Sequence, residues 1–278
     1  MKNLRERVLR GEGTVGCFLN LGSSLTAEIV GRSGFDWVVI DLEHGAGSEG
    51  DVLHQLQALE HTDAAAIVRV ESHERQRFHR VLDVGAHGIM VPRVNNAEDA
   101  RSAVAAMRYQ PGGERGVARM NRACGFGTAF DSYFAAADSS LLTVLQIETK
   151  LSLDNIDSIA AIDGVDVLFI GPVDLSRDLG IFGQFDHSLF LDAVRITAQA
   201  AQRAGKQAGI IIDGPANLSK YRDLGYRFVA CSSDGSLLNS AARNLADALK
   251  SCKTQIAEPH GRLAYSLDIP RTRQPFAK

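Results

Sequence analysis

Long apolar runs, closely spaced cysteines and an excess of one charge are all missing from this sequence. No apolar run approaches the roughly 20 residues that span a bilayer, so no transmembrane helix is predicted. The chain has 30 basic and 33 acidic side chains in 278 residues, a balance that gives no indication of nucleic-acid or membrane binding. The charged amino-terminal segment has neither the apolar core nor the cleavage site of a secretory signal.

The four cysteines, Cys17, Cys124, Cys231 and Cys252, are too far apart to form a C-x-x-C pair. Their spacing predicts neither a zinc site nor a disulfide framework, and a reduced, cytoplasmic setting is expected. A glycine-rich phosphate turn is also missing after the first apolar run. This absence disfavours a doubly wound open sheet, which is the second-best fold for the sequence.

Short apolar runs alternate with helical stretches along the chain, as expected of parallel strands that are buried on both faces. The predicted strands are Val15–Leu19, Trp37–Ile40, Ala66–Val70, Gly88–Val91, Leu142–Ile147, Val167–Ile170, Gln207–Ile212 and Phe228–Ala230. Eight strands with helices between them and no linker predict a single (β/α)₈ (TIM) barrel over residues 1–252. Residues 253–278 are predicted to be a polar carboxyl-terminal tail, and residues 109–140 are a long stretch rich in glycine and arginine.

Polar residues end several of these apolar runs, and in such barrels the active site lies at the carboxyl ends of the strands. Glu148 and Asp174 end neighbouring runs, and two carboxylates suit a hard divalent ion. Asp174 is equally suited to cap the following helix. Arg69 has a planar fork that binds a carboxylate or an enolate, although a structural salt bridge is as plausible there.

His44 follows Asp41 by three residues, which suggests a general base oriented by a carboxylate, or a structural histidine. Lys150 lies just beyond the fifth run and raises a rival mechanism. A Schiff-base aldolase needs a desolvated lysine at the end of a barrel strand. The position of Lys150, two residues after Glu148, favours a turn that points outward instead.

An ordered set of segments resembles the HpcH/HpaI aldolases, which are class II pyruvate aldolases acting on compounds such as 4-hydroxy-2-oxoheptanedioate and 2-dehydro-3-deoxyglucarate. The segments are Phe35–His44, Val68–Val70, Leu82–Ala86, Val91–Arg93, Gln146–Thr149 and Phe169–Ser176. The resemblance covers nearly all of residues 5–250. The chain departs from the family in having Phe18 where tryptophan is common and Val173 where alanine is common.

The resemblance implies a reversible cleavage of a 4-hydroxy-2-oxo acid to pyruvate and an aldehyde, through a metal-bound pyruvate enolate. Glu148 and Asp174 would hold the divalent ion, which would be Mg²⁺, Mn²⁺ or Co²⁺. Gln146, Asp174 and the backbone N–H of Val173 would help to hold the acid, beside a pocket wall formed by Phe18. Arg69 would stabilise the enolate, and His44 would transfer the hydroxyl proton.

The resemblance also implies that Asp83, rather than Asp41, is the partner of His44. It further implies a homo-hexamer built as a trimer of dimers that exchange their last helix. Arg115, Arg119 and Arg122 would then form a basic lip for an acidic aldehyde in a neighbouring subunit, or simply a solvated loop. Two other functions are left open by the sequence: a citrate-lyase-β-like enzyme that cleaves a CoA thioester, and a non-catalytic barrel that binds a 2-oxo acid.

Overall fold

The computed structural model describes residues 4–256, with side chains described as far as residue 252, and contains a closed barrel of eight parallel strands in sequence order. The strands are β1 Thr14–Leu19, β2 Trp37–Asp41, β3 Ala65–Arg69, β4 Gly88–Val91, β5 Leu142–Ile147, β6 Val167–Ile170, β7 Gln207–Ile212 and β8 Tyr226–Ser233. The predicted (β/α)₈ barrel is therefore confirmed. All eight predicted strands exist, and the largest error is in β8, which is longer than predicted at both ends.

Helices follow the strands around the outside of the barrel. They are α1 Leu4–Leu9, α2 Ser24–Gly31, α3 Glu49–Ala58, α4 Arg75–Asp83, α5 Ala97–Met107, α6 Phe130–Ser140, α7 Lys150–Asp154, α8 Ile156–Ala160, α9 Pro172–Asp178, α10 Ser188–Arg203, α11 Leu218–Asp223 and α12 Asp234–Ile256. Helix α6 lies within residues 109–140, the long stretch rich in glycine and arginine. It buries only Tyr133 and Ala137, so it carries little apolar periodicity.

Two apolar clusters lie on the two sides of the strands. The larger cluster fills the space between strands and helices, and the smaller one fills the barrel, because alternate side chains of a strand point to opposite faces. Inside the barrel the rings of Trp37 and Phe228 stack with their centroids 3.9 Å apart. Gly16 faces Trp37 across the β1–β2 pair. A Cβ atom at Gly16 would lie 2.3 Å from the indole ring, so only glycine leaves room for it.

The amino-terminal end of the barrel is closed by α1. Leu4 and Val8 join the apolar cluster inside the barrel. Between them Arg5 donates two hydrogen bonds, of 2.8 and 3.0 Å, to the buried carboxylate of Asp166, the residue that precedes β6. Asp166 also accepts a 2.9 Å bond from the backbone N–H of Thr143 in β5. A charge-assisted, bidentate contact of this kind holds α1 in one orientation against the barrel.

Residues up to Leu237 form one compact unit, and the chain from Leu238 onward forms a second. Within that second unit the described chain continues α12, which runs through the first four residues of the predicted tail. Leu238, Leu245 and Leu249 of this helix are each more than half exposed. Residues 257–278, the remainder of the predicted tail, lie outside the described residues. None of the helices in residues 4–256 is long and apolar enough to cross a membrane.

Replacing Gly16 with alanine tests the packing of the barrel interior. We expect Gly16→Ala to lower the free energy of unfolding by about 1–3 kcal/mol, because the added methyl group overlaps the ring of Trp37. Gly13→Ala is the matched control, since a Cβ atom there meets nothing within 4 Å. Urea unfolding followed by the fluorescence of Trp37, the single tryptophan, measures both variants. Equal stabilities of the two variants would contradict the packing argument.

Candidate active site

In three strands, the alternate residues that point into the barrel become polar at its carboxyl end. In β2 and β3 the inward positions continue from Trp37 and Val39 to Asp41, and from Ala65 and Ile67 to Arg69. In β5 they continue from Leu142 and Val144 to Gln146, and one step further to Glu148. All four of these polar residues are buried: Asp41, Arg69, Gln146 and Glu148. The period of two along a strand therefore assembles the site.

Asp41 fixes the guanidinium of Arg69. Arg69 donates from Nε to Asp41 Oδ1 at 2.9 Å and from Nη2 to Oδ2 at 2.7 Å. Burial opposes the positive charge, but hydrogen bonding and attraction to Asp41 raise the pKa of Arg69 above its ordinary value. Phe18 packs against the same guanidinium, with its ring centroid 5.2 Å from Cζ. This arrangement holds a permanent cation in one orientation, with Nη1 directed away from Asp41.

Glu148 is buried between a backbone donor and an amide. Its Oε1 accepts a 2.6 Å bond from the N–H of Arg93, and its Oε2 accepts a 3.1 Å bond from Nε2 of Gln146. Gly171 makes room for it, because a Cβ atom there would lie 2.5 Å from Oε2. Burial, together with the nearby carboxylates of Glu43 and Asp174, raises the pKa of Glu148 to about 7.

The donor at Arg93 depends on a strained backbone. Arg93 has a positive φ of 51°, in the left-handed region that residues other than glycine rarely adopt. This conformation turns its N–H toward Glu148. Arg93 belongs to the segment Val91–Arg93 that carries part of the family resemblance, but no role in the site was predicted for it. The cost of the strain, about 1–3 kcal/mol, marks a position that the surrounding structure must enforce.

Asp174 and Val173 lie in the first turn of α9. The residue at the N-cap of this helix is Gly171 and Pro172 follows it, so Asp174 is not the cap that one interpretation of the sequence predicted. Both Val173 and Asp174 are exposed, and the charge of Asp174 acts on Glu148. The structure therefore brings together two of the predicted groups, a buried carboxylate and an exposed one, at neighbouring strand ends.

A divalent ion fits the donors of this site. The Oε1 atom of Gln146 is buried and has no hydrogen-bond partner, so an acceptor faces the site unused. The carboxylate of Glu148 is destabilised by like charges that a cation would offset. Residues 4–256 contain no group of three or more His, Cys, Asp or Glu side chains placed to hold a metal. Two carboxylates completed by water and substrate oxygens are the arrangement that Mg²⁺ accepts.

His44 and Asp83 do not meet within one chain. The His44 side chain is 63% exposed at the rim of the site. Asp83 ends α4, the helix that returns to the amino-terminal end of the barrel, and its Oδ1 accepts a 2.9 Å bond from Arg115. Asp41, the partner suggested by spacing, accepts bonds from the backbone N–H groups of Glu43 and His44 and not from the imidazole. The pairing of His44 with Asp83 stays a prediction that requires a second subunit.

Glu43 is a member of the site that sequence reasoning missed. Its Oε2 lies 2.9 Å from Nη1 of Arg69 and 3.9 Å from Nε2 of His44. The signal was present in the sequence, because Glu43 continues the inward alternation of Trp37, Val39 and Asp41 by one more step.

The remaining candidates lie away from this cluster. Lys150 is exposed as the first residue of α7, so it lacks the desolvation that a Schiff-base lysine needs. Among the three arginines of the long loop, Arg115 is buried between the rings of Tyr109 and Tyr133. Arg119 lies over Phe130 and is largely exposed, and Arg122 donates to Glu60 and to the carbonyl of Val84. The loop is thus neither wholly solvated nor a uniform basic lip.

Comparisons with known proteins agree with this fold. The profile of a family described as HpcH/HpaI aldolase/citrate lyase matches residues 14–241. A 5-keto-4-deoxy-D-glucarate aldolase from Klebsiella pneumoniae is 39% identical over 85% of this chain and 92% of its own length. A hydroxypyruvate/pyruvate aldolase from Roseobacter denitrificans is 38% identical over 88% and 96%. The crystal structure of a HpcH/HpaI aldolase/citrate lyase family protein from Burkholderia cenocepacia superimposes with a TM-score of 0.86, at 35% identity, over 90% of this chain and all of that one.

The raised pKa of Glu148 predicts how stability depends on pH in metal-free protein. The folded state binds a proton more tightly than the unfolded state, so stability is lost as pH rises from about 4.5 to about 7. We expect Glu148→Gln to remove this loss, which amounts to about 3 kcal/mol. Urea unfolding in EDTA at a series of pH values measures it. Glu28→Gln, at an exposed residue paired with Arg32, is the control that should keep the wild-type slope. Equal slopes for wild type and Glu148→Gln would refute the assignment.

Proposed function

Because this chain belongs to the HpcH/HpaI aldolase/citrate lyase family, we propose that it is a divalent-metal-dependent class II aldolase of pyruvate. As a carbon–carbon lyase it would cleave a 4-hydroxy-2-oxo acid reversibly to pyruvate and an aldehyde. One observation carries this proposal. The fixed guanidinium of Arg69 and the buried carboxylate of Glu148 lie at the same end of the barrel, where their charges interact. Cleavage beside a 2-oxo group needs both a metal site and a cation for the negative charge that develops.

Glu148 and Asp174 would hold the metal ion, whose identity as Mg²⁺, Mn²⁺ or Co²⁺ is left open by two oxygen ligands. When bound, the ion would act as a Lewis acid on the 2-oxo acid. Gln146 supports this placement, because its Nε2 orients Glu148 and its Oε1 is without a partner. Val173 would supply a backbone N–H from the first turn of α9, where the helix itself leaves such groups unpaired.

Arg69 would stabilise the negative charge of the enolate that the pyruvate fragment becomes. Its Nε and Nη2 are held by Asp41, so the guanidinium does not need to reorganise as charge develops. Phe18 excludes water from one side of the guanidinium. Electrostatic stabilisation by a fixed group in a buried site is the largest contribution that the protein alone would make. His44, at the solvent edge, would belong to the proton path.

Assembly into a homo-oligomer, a trimer of dimers, is part of the proposal. The support for it is the apolar stripe of Leu238, Leu245 and Leu249, which are spaced by seven and four residues on α12 and are exposed. A second subunit would also be the source of an Asp83 carboxylate for His44. A cytoplasmic setting is proposed as well, and it accords with the free thiols of all four cysteines, which lie within the described residues.

Turnover of pyruvate with a panel of aldehydes, measured with and without EDTA, tests the function. We expect EDTA to reduce activity by on the order of 100-fold or more, with recovery on adding Mn²⁺ or Mg²⁺. Glu148→Ala should stay inactive with added metal, because it removes the buried ligand, while Glu28→Ala should match the wild type. Activity that survives EDTA and is trapped by borohydride would contradict the proposal and favour Lys150. Cleavage of a CoA thioester without turnover of pyruvate would instead indicate an enzyme of the citrate-lyase-β type.

Arg119 and Arg122 test the preference for the aldehyde. If they contact the aldehyde bound to another subunit, Arg119→Ala and Arg122→Ala should raise KM for acidic aldehydes by about tenfold or more, with less effect on neutral ones. Steady-state kinetics with a matched pair of acidic and neutral aldehydes measures this difference. Arg101→Ala, at an exposed arginine of α5 paired with Glu98, is the control. Equal effects on both aldehydes would show that the two arginines do not distinguish acidic from neutral aldehydes.

A further inference from the structure

The peptide group between Pro92 and Arg93 is held at both of its ends. On one side the N–H of Arg93 donates a 2.6 Å bond to Oε1 of Glu148. On the other side the carbonyl oxygen of Pro92 lies 2.6 Å from Nε2 of His73, a half-buried residue in the loop between β3 and α4. The C=O and N–H of a trans peptide point in opposite directions, so a single peptide plane joins His73 to Glu148.

The direction of the hydrogen bond at His73 follows from the chemistry of its partner. A carbonyl oxygen only accepts, so Nε2 of His73 must carry a hydrogen and donate it to Pro92. A donor on the carbonyl polarises the amide, because hydrogen bonds in a chain strengthen one another. His73 therefore strengthens, through the peptide, the bond that Glu148 receives from Arg93.

The chain on either side of this peptide is fixed by other contacts. Val91, the last residue of β4, pairs with β5. Oδ1 of Asn95 accepts a 2.6 Å bond from the hydroxyl of Thr149, in the loop that follows β5. With both flanks held, a change of backbone conformation between them takes the form of a rotation of the peptide plane that His73 contacts.

The strain at Arg93 favours such a rotation. Its φ of 51° lies in the left-handed region, which an arginine leaves for a negative φ unless neighbouring contacts hold it there. Rotation of the preceding peptide would relieve the strain and turn the N–H away from Glu148. The bond from His73 resists this movement, since the same rotation would carry the carbonyl of Pro92 out of reach.

The bond from Arg93 also favours the form of Glu148 that binds a cation. Burial raises the pKa of Glu148, and the N–H of Arg93 is the largest influence in the opposite direction, ahead of the charge of Arg69. A metal ion binds the ionised carboxylate, so a donor that stabilises the ionised form also favours the metal.

We infer that His73 is a positioning residue of the metal site, which holds the peptide between Pro92 and Arg93 so that its N–H keeps Glu148 in one orientation. The inference rests on the proposed function, which makes Glu148 a ligand of the metal. Loss of a group that orients a metal ligand lowers metal affinity by about 10–100-fold. The effect of His73 should therefore be measurable on metal binding itself.

His73→Phe tests the inference, because phenylalanine keeps a ring in the loop and has no donor for Pro92. We expect the Kd of Mn²⁺, measured by calorimetry on the full-length protein after removal of metal with EDTA, to rise about tenfold or more. His73→Gln should stay within about threefold of the wild type, since its amide restores a donor. His61→Phe, at an exposed histidine between α3 and β3, is the control and should leave the Kd unchanged.

A double-mutant cycle with Arg93→Gly tests the route through the strained peptide. Glycine adopts a positive φ without strain, so in that background His73→Phe should raise the Kd of Mn²⁺ by no more than about threefold. A histidine that served only the packing of the loop would not show this coupling. An equal rise in both backgrounds would overturn the inference.

Thermal stability separates a positioning role from a structural one. The rise in Tm on replacing EDTA with Mn²⁺ should be smaller for His73→Phe than for the wild type, because stabilisation by a ligand falls with its affinity. Equal Kd values for these two proteins, whatever their Tm, would overturn the assignment of His73. If the wild type does not bind Mn²⁺, or Glu148→Ala binds it as tightly as the wild type, the proposed function itself is overturned.

Discussion

The buried ion pair between Arg69 and Asp41 is the contact on which the rest of the site depends. Asp41 uses both oxygens on the guanidinium and still accepts the backbone N–H groups of Glu43 and His44, so one carboxylate places three residues. Removing either partner of such a pair leaves an uncompensated buried charge, which costs about 3–5 kcal/mol. The pair therefore fixes both the guanidinium at the carboxyl end of the barrel and the turn that carries Glu43 and His44.

That pair leaves a surplus of negative charge at the mouth of the barrel. Asp41 is neutralised by Arg69, whereas Glu148 has a pKa raised by burial and by its acidic neighbours. A protein that served only stability would not keep such carboxylates together, because like charges in a buried site repel strongly. A bound divalent ion would offset this surplus, so the carboxylates that destabilise the metal-free site are the ones proposed to hold the metal.

The barrel and much of the site could be predicted from the sequence because both follow from the regular spacing of short apolar runs. Short apolar runs gave the strands, and the polar residues that end them gave Arg69 and Glu148. Glu43 was not predicted because it lies two residues beyond the end of β2, where the alternation of inward and outward side chains continues without sheet pairing. The N–H of Arg93 depends on a left-handed backbone that no residue type announces. Spacing alone suggested Asp41 as the partner of the His44 ring, but in the structure Asp41 accepts only the backbone N–H of His44, and the ring lies 3.9 Å from Glu43.

The two ends of the barrel differ in how they treat buried charge, and this difference locates the chemistry. At the amino-terminal end Asp166 is paired with Arg5, and Asp83 with Arg115. Each of these acids has its own arginine, which is the arrangement expected of a stabilising face. At the carboxyl end Arg69 is already engaged by Asp41, and Glu148 has only neutral hydrogen-bond donors. Since both ends belong to one closed sheet with the same interior packing, the fold alone does not require the imbalance. The shortage of cations at the carboxyl end is accordingly a property of the site, which is completed by what binds there.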